Sequence, residues 1–138
     1  GRCVVAELVP GIIEWARGPM QDLAAGCLDD PRVDLRMNDV GWEIVSARAG
    51  YEAILLDVDN GPDGLTRPAN NALYTPDGLR AARRALRPGG ILAVWSAGSD
   101  PAFTRRLSKA GFEVEEQRVR ARENGKGPQH HLWFATSG

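Results

Sequence analysis

The chain has 138 residues, 43% of them apolar and 25% charged, the balance of one globular domain of the soluble type with enough length to bury a core. With 17 Lys and Arg against 18 Asp and Glu the formal net charge is −1, which excludes the broad basic surface that marks a nucleic-acid partner. The longest apolar runs fall far short of a membrane span, and Gly1-Arg2 leads straight into a strand-like run; no membrane partner and no signal peptide are expected, and a cytoplasmic location is.

Residues 3–8 (CVVAEL) are β-branched and apolar and predict a strand with Glu7 at its carboxyl end. Pro10 then opens a helix, a position that suits proline because the first helical N–H has no partner anyway. Ile12, Ile13, Ala16, Met20, Leu23 and Ala24 recur with helical period. Gly18-Pro19 interrupts that period, so a kink or two shorter helices are expected. Asp29-Asp30-Pro31 is a turn. Residues 33–37 alternate and predict a second strand ending at Asn38-Asp39, and residues 42–48 a short helix. Cys3 and Cys27 lack metal-ligand spacing and sit among apolar neighbours, so buried thiols in a reducing cytoplasm are expected.

The run Ala53-Ile54-Leu55-Leu56 is bounded by charge before it and a Gly/Pro/Asn loop after it. That is the pattern of a central strand buried on both faces. It empties into Asp57, Asp59, Asn60 and Asp63 within one loop, at the strand end where open α/β sheets bind ligands. Residues 77–86 predict a helix entered through Thr75-Pro76, with Thr75 as its cap. Arg87-Pro88-Gly89-Gly90 stops it. Residues 91–95 form another buried strand. Asp100-Pro101 starts a helix that runs to Lys109 and ends at Gly111. Residues 112–121 and 131–136 are two strands with no helix between them, an antiparallel pair at the end of the sheet. The order β-α-β-α-β-α-β-α-β-β implies an α/β fold, a three-layer α/β/α sandwich on a mixed sheet, in one domain spanning residues 1–138.

Three strand ends present acids: Glu7, Asp39 and Asp57. A carboxylate at such a place offers two oxygens to the two hydroxyls of a ribose. Asp39 is placed to accept from an adenine amino group. Asp57 and its loop partners suit a cationic group. Other features have plainer readings. His130 and His131 have no third ligand at metal spacing and are core or edge residues. Trp95 ends a strand and either packs or stacks on a ring. Residues 123–127 (ENGKG) form a hairpin connection rather than a phosphate loop. Arg83, Arg84 and Arg87 read as a solvated helix face near its C-terminus, where cations suit the dipole.

The succession of Glu7 after a strand, Asn38-Asp39, Asp57-Val58-Asp59-Asn60, Leu73-Tyr74-Thr75 and Leu86-Arg87-Pro88-Gly89-Gly90 resembles the spermidine synthase family. That family is a branch of the S-adenosylmethionine-dependent methyltransferase fold. The resemblance covers residues 3–135. It implies a transferase of polyamine biosynthesis using S-adenosylmethionine or its decarboxylated form, with no metal, and a small-molecule amine acceptor. It implies that Glu7 binds the ribose hydroxyls and Asp39 the adenine. Asp57 and Asn60 fall where the family has the paired aspartates that hold the amine and assist its deprotonation. Asp59 and Tyr74 are assigned to the acceptor pocket.

The chain departs from the family at two places. Asn60 is an amide, which neither takes a proton nor carries charge, so poor diamine aminopropyl transfer is expected. The family's glycine-rich strand–loop–helix, and the β domain before it, would precede Cys3. The missing strand would lie between those ending at Glu7 and Asp57. A longer parent chain, pairing with a neighbouring chain in a homodimer, or direct pairing of the two strands would each fill the gap. An S-adenosylmethionine-dependent methyltransferase, or a domain that keeps the fold without turnover, are the alternative functions.

Overall fold

The computed structural model describes residues 1–57, 62, 68–122 and 125–138. The chain divides into two compact units, Gly1–Glu43 and Ile44–Gly138.

In the first unit, β1 (Cys3–Ala6) and β2 (Val33–Arg36) form a two-stranded parallel sheet in register from Cys3↔Val33 to Ala6↔Arg36. The crossover between them carries α1 (Pro10–Arg17), α2 (Gln21–Ala24) and a 3-10 turn (Cys27–Asp29). Pro10 occupies the first turn of α1 as expected. The Gly18-Pro19 break separates two short helices rather than kinking one. The turn between α2 and β2 passes through Ala25 and Gly26, both left-handed, at φ 49° and 69°. A helix α3 (Val40–Ser46) begins in this unit and continues into the next.

Of residues 1–43, only Glu43 is buried. Two short strands and two short helices have too little apolar surface in common to enclose a core of their own. Cys3 and Cys27 are therefore exposed, not buried as expected: one starts an end of β1 and the other lies in the 3-10 turn. Leu8, Ile12, Trp15, Met20 and Leu23 are exposed for the same reason.

The second unit holds β3 (Tyr51–Leu56), α4 (Pro68–Asn71), a 3-10 turn (Ala72–Tyr74), α5 (Pro76–Ala85), β4 (Leu86–Ser96), α6 (Pro101–Lys109), β5 (Phe112–Arg120) and β6 (Gln129–Ser137). Its four strands lie in the order β3-β4-β6-β5. The β3/β4 pair is parallel, and β4/β6 and β5/β6 are antiparallel. This is the mixed α/β sheet with a closing antiparallel pair that the strand order predicts. Thr75 caps α5, its Oγ1 accepting from the Gly78 N–H at 3.1 Å. Asp100 caps α6, its Oδ1 accepting from the Phe103 N–H at 2.9 Å. Gly111 ends α6 with φ 94°, a backbone conformation that side chains resist.

Alternate residues of β4 and β6 point into the core. Leu92, Val94 and Trp133 are fully buried, together with Leu79 of α5 and Phe103 and Leu107 of α6. The hairpin between β5 and β6 is closed by the Ala121 N–H on Pro128 O at 3.1 Å and the Gly125 N–H on Arg122 O at 3.0 Å.

Two further expectations change. First, β3 is buried on one face rather than both: Ile54 and Leu56 point inward while Leu55 is 75% exposed, and among the described residues the strand lies at the edge of its sheet, paired with β4. Second, Arg87 does not extend a helix face. It lies in β4, which begins at Leu86, and its Nη1 donates to Glu52 Oε1 of β3 at 2.8 Å. Arg84 is exposed, whereas the Arg83 side chain packs over Gly111.

Candidate functional site

Two acids of the first unit, Glu7 and Asp39, follow the carboxyl ends of its two parallel strands. The Glu7 N–H donates to Arg36 O at 3.0 Å, extending the β1/β2 ladder by one residue. Its side chain turns back, and Oε1 accepts from the Val9 N–H at 2.8 Å. That bond fixes the carboxylate at the strand end and leaves Oε2 without a hydrogen-bond partner among the described residues. Glu7 is half-buried.

Asp39 is held from two sides. Its Oδ1 accepts from the Trp42 N–H at 3.0 Å, the capping bond of α3. Its own N–H donates to Asn38 Oδ1 at 2.9 Å. Asn38 Nδ2 in turn donates to Glu43 Oε1 at 3.1 Å. The second oxygen of Glu43, Oε2, accepts from Arg36 Nη1 at 2.6 Å. Arg36 also donates to Asp34 Oδ2 through Nε at 3.0 Å and Nη2 at 2.8 Å. This doubly bonded guanidinium holds the Asp34 carboxyl below its ordinary range. Asp34 first and Glu43 second push the guanidinium of Arg36 further toward its charged form. Glu43 and Arg36 escape a reading of single residues. Their one sequence signal is an acid in the first turn of a helix that Asp39 caps, where a negative charge is favoured by the helix dipole.

In the second unit Asp57 follows the last residue of β3 and is exposed. Carrying the Leu56↔Val94 register one step further brings it level with Trp95. Trp95 packs on His130 with ring centroids 5.1 Å apart, which favours its packing role. Tyr74 is only 3% exposed and meets Phe103 edge to face at 5.7 Å. Asp59, Asn60 and Asp63 lie outside the described residues. The structure thus brings Glu7 and Asp39 to neighbouring strand ends in one unit, and places Asp57 at a strand end and Tyr74 in the core of the other. His130 lies partly, and His131 fully, among packed neighbours at the start of β6. Among the described residues no group of three or more His, Cys, Asp or Glu is arranged to hold a metal ion. No helix among them is long and apolar enough to cross a membrane.

No family model matches the chain. It is 37% identical over 126 residues, 84% of its length, to a polyamine aminopropyltransferase of Mycobacterium tuberculosis, of which it covers 23%. A polyamine aminopropyltransferase of Nitrosomonas europaea is 37% identical over 95 residues, 67% of this chain and 27% of the relative. The chain therefore spans about a quarter of the length of these curated relatives. Its fold matches the crystal structure of spermidine synthase from Thermotoga maritima with a TM-score of 0.73 at 19% identity, over 99% of this chain and 45% of that one. A Burkholderia thailandensis 1,6-didemethyltoxoflavin-N1-methyltransferase with bound S-adenosylhomocysteine matches with a TM-score of 0.63 at 21% identity, over 99% and 61%. Both structural matches carry the methyltransferase-type α/β fold. Over most of its length this chain is similar in sequence to the polyamine aminopropyltransferases, and it shares the fold of spermidine synthase.

Proposed function

We propose that the chain serves a transferase that moves an aminopropyl group from decarboxylated S-adenosylmethionine to a small amine acceptor. The observation that carries this reading is the pair Glu7 and Asp39 at adjacent parallel strand ends. Glu7 keeps one carboxylate oxygen engaged by Val9 and presents the other for a ribose diol. Asp39, oriented by its capping bond, accepts from the adenine amino group. Asp57, exposed at the end of β3, attracts the cationic acceptor.

The reaction needs few groups. The acceptor amine loses a proton, and its lone pair attacks the carbon beside the positive sulfur. The carbon–nitrogen bond forms as the carbon–sulfur bond breaks, its electron pair going to sulfur, and a neutral thioether leaves. Carboxylates attract the protonated amine and take up its proton. Holding nitrogen, carbon and sulfur in line lowers much of the remaining barrier. Asn60 stands at one of the family's two aspartate positions and takes no proton, so in this reading Asp57 and Asp59 carry that task and turnover with a diamine is slow. Tyr74 supports the acceptor side from the core. No metal is required, and the setting is cytoplasmic.

Titration calorimetry on the full chain tests the proposal. Decarboxylated S-adenosylmethionine is expected to bind more tightly than S-adenosylmethionine, and Glu7→Gln to weaken both. Preference for S-adenosylmethionine would instead favour a methyltransferase, the reading suggested by the fold match to the Burkholderia enzyme. Binding of neither would favour a domain without turnover, the reading that Asn60 suggests.

A further inference from the structure

Glu43 is the only buried residue among positions 1–43, and it is an acid. A buried carboxylate is costly unless its oxygens are satisfied. Here each oxygen has one donor of its own: Asn38 Nδ2 at 3.1 Å on Oε1 and Arg36 Nη1 at 2.6 Å on Oε2. The Arg36 bond fastens the carboxylate to β2. The Asn38 bond does something different, because it decides which way the Asn38 amide faces. With its NH2 group given to Glu43, Asn38 must turn its carbonyl oxygen to the Asp39 N–H, as it does at 2.9 Å. Asp39 in turn accepts from the Trp42 N–H at 3.0 Å. The chain of bonds Glu43–Asn38–Asp39 thus sets the carboxylate of Asp39 at the end of β2.

We propose that Glu43 is a positioning residue for base recognition, acting through Asn38 to aim the Asp39 carboxylate at the amino group of an adenine. This rests on the role given to Asp39 above, and it adds the residue that enforces that role. A rigid, correctly aimed acceptor discriminates between an amino group and a carbonyl at the same place on the base. A loosely held one binds both poorly and alike.

Two substitutions separate this from a merely structural effect. In Glu43→Gln the side-chain oxygen follows the charged Arg36, and an NH2 group then opposes the NH2 of Asn38. The Asn38 amide rotates and its carbonyl leaves the Asp39 N–H. Asn38→Ala removes the link while leaving the Glu43–Arg36 pair in place, so it remains informative if Glu43→Gln fails to fold. Two measurements on the full chain apply to both. One is amide hydrogen exchange at Asp39 and Trp42. The other is the ratio of affinities for 5′-methylthioadenosine and 5′-methylthioinosine, which differ by the amino group at issue.

Both variants are expected to speed exchange at Asp39 and Trp42 while the β1/β2 ladder stays protected. Both are expected to lower the adenine preference by about tenfold, the size of one charged hydrogen bond. Unchanged exchange at both amides would overturn the proposal and leave the role of Asp39 untouched. Equal weakening of the two nucleosides would overturn it as well, since that is what a structural role predicts. Faster exchange in a protein whose wild type does not prefer adenine would remove Asp39 from the base, and the proposed role of Glu43 would fall with it.

Discussion

Gly78 lies so close to Ala72 that a methyl group on its Cα would sit 2.1 Å from the Ala72 carbonyl oxygen and 2.7 Å from that of Leu73. The 3-10 turn that carries Tyr74 therefore packs directly on the first turn of α5. Helix propensity alone favours Gly78→Ala by up to about 1 kcal/mol. The contact reverses the sign, because the obstruction is backbone and cannot rotate away. Urea unfolding of Gly78→Ala should show a loss of roughly 3 kcal/mol. A stabilised variant would mean that the turn is not held against the helix.

Between α6 and β6, the indole N–H of the fully buried Trp133 donates to Thr104 Oγ1 at 2.9 Å. The Thr104 hydroxyl itself donates to Glu116 of β5. Replacing Thr104 by the isosteric Val leaves the indole N–H buried without an acceptor. Thr104→Val should cost about 1–3 kcal/mol in chemical denaturation. Trp133→Phe combined with Thr104→Val should cost less than the two single changes together, because neither partner is then left unpaired.

Asp34 predicts an acid limb in stability. Arg36 lowers its carboxyl in the folded state. The stabilisation is therefore present above the ordinary carboxyl value of about 4 and is lost as pH falls through the lower, folded value. Asp30, lowered by Arg32, acts in the same direction. Thermal melts taken from about pH 7 down to about pH 2 should show a shallower decline in Asp34→Asn than in the wild type. Identical slopes would show that the Arg36 pairing does not distinguish the folded from the unfolded chain.

The exposed face of β3 gives a contrasting case. A Leu in a strand buried on both faces loses about 2–5 kcal/mol when truncated. Leu55, at 75% exposed, should tolerate Leu55→Thr within about 0.5 kcal/mol. Differential scanning calorimetry of that variant measures it, and a drop of several degrees would mean that the outer face of β3 is packed in solution.

Much of the chain was legible from local chemistry. Pro10, Thr75, Asp100 and Gly111 each mark a helix end because an orphan N–H, a capping oxygen or a left-handed residue acts within a few positions of itself. The closing hairpin was equally plain, since two β-rich runs joined by a Gly-containing turn have few other ways to pair. The acids at the ends of β1, β2 and β3 could be placed because strand ends follow from strand bounds. Asp59 and Asn60 could be named from the sequence, but they lie outside the described residues.

What the sequence determined by itself, then, is the order of the elements, the caps that bound them and the acids at their ends, all set by interactions between near neighbours in the chain. Tertiary structure alone decided that β3 is buried on one face, that Cys3 and Cys27 face outward, that Arg87 pairs across to Glu52, and that Glu43 is the buried acid behind Asp39. Burial and pairing depend on which surfaces meet. An apolar run such as residues 53–56 reads the same whether one of its faces is covered or both.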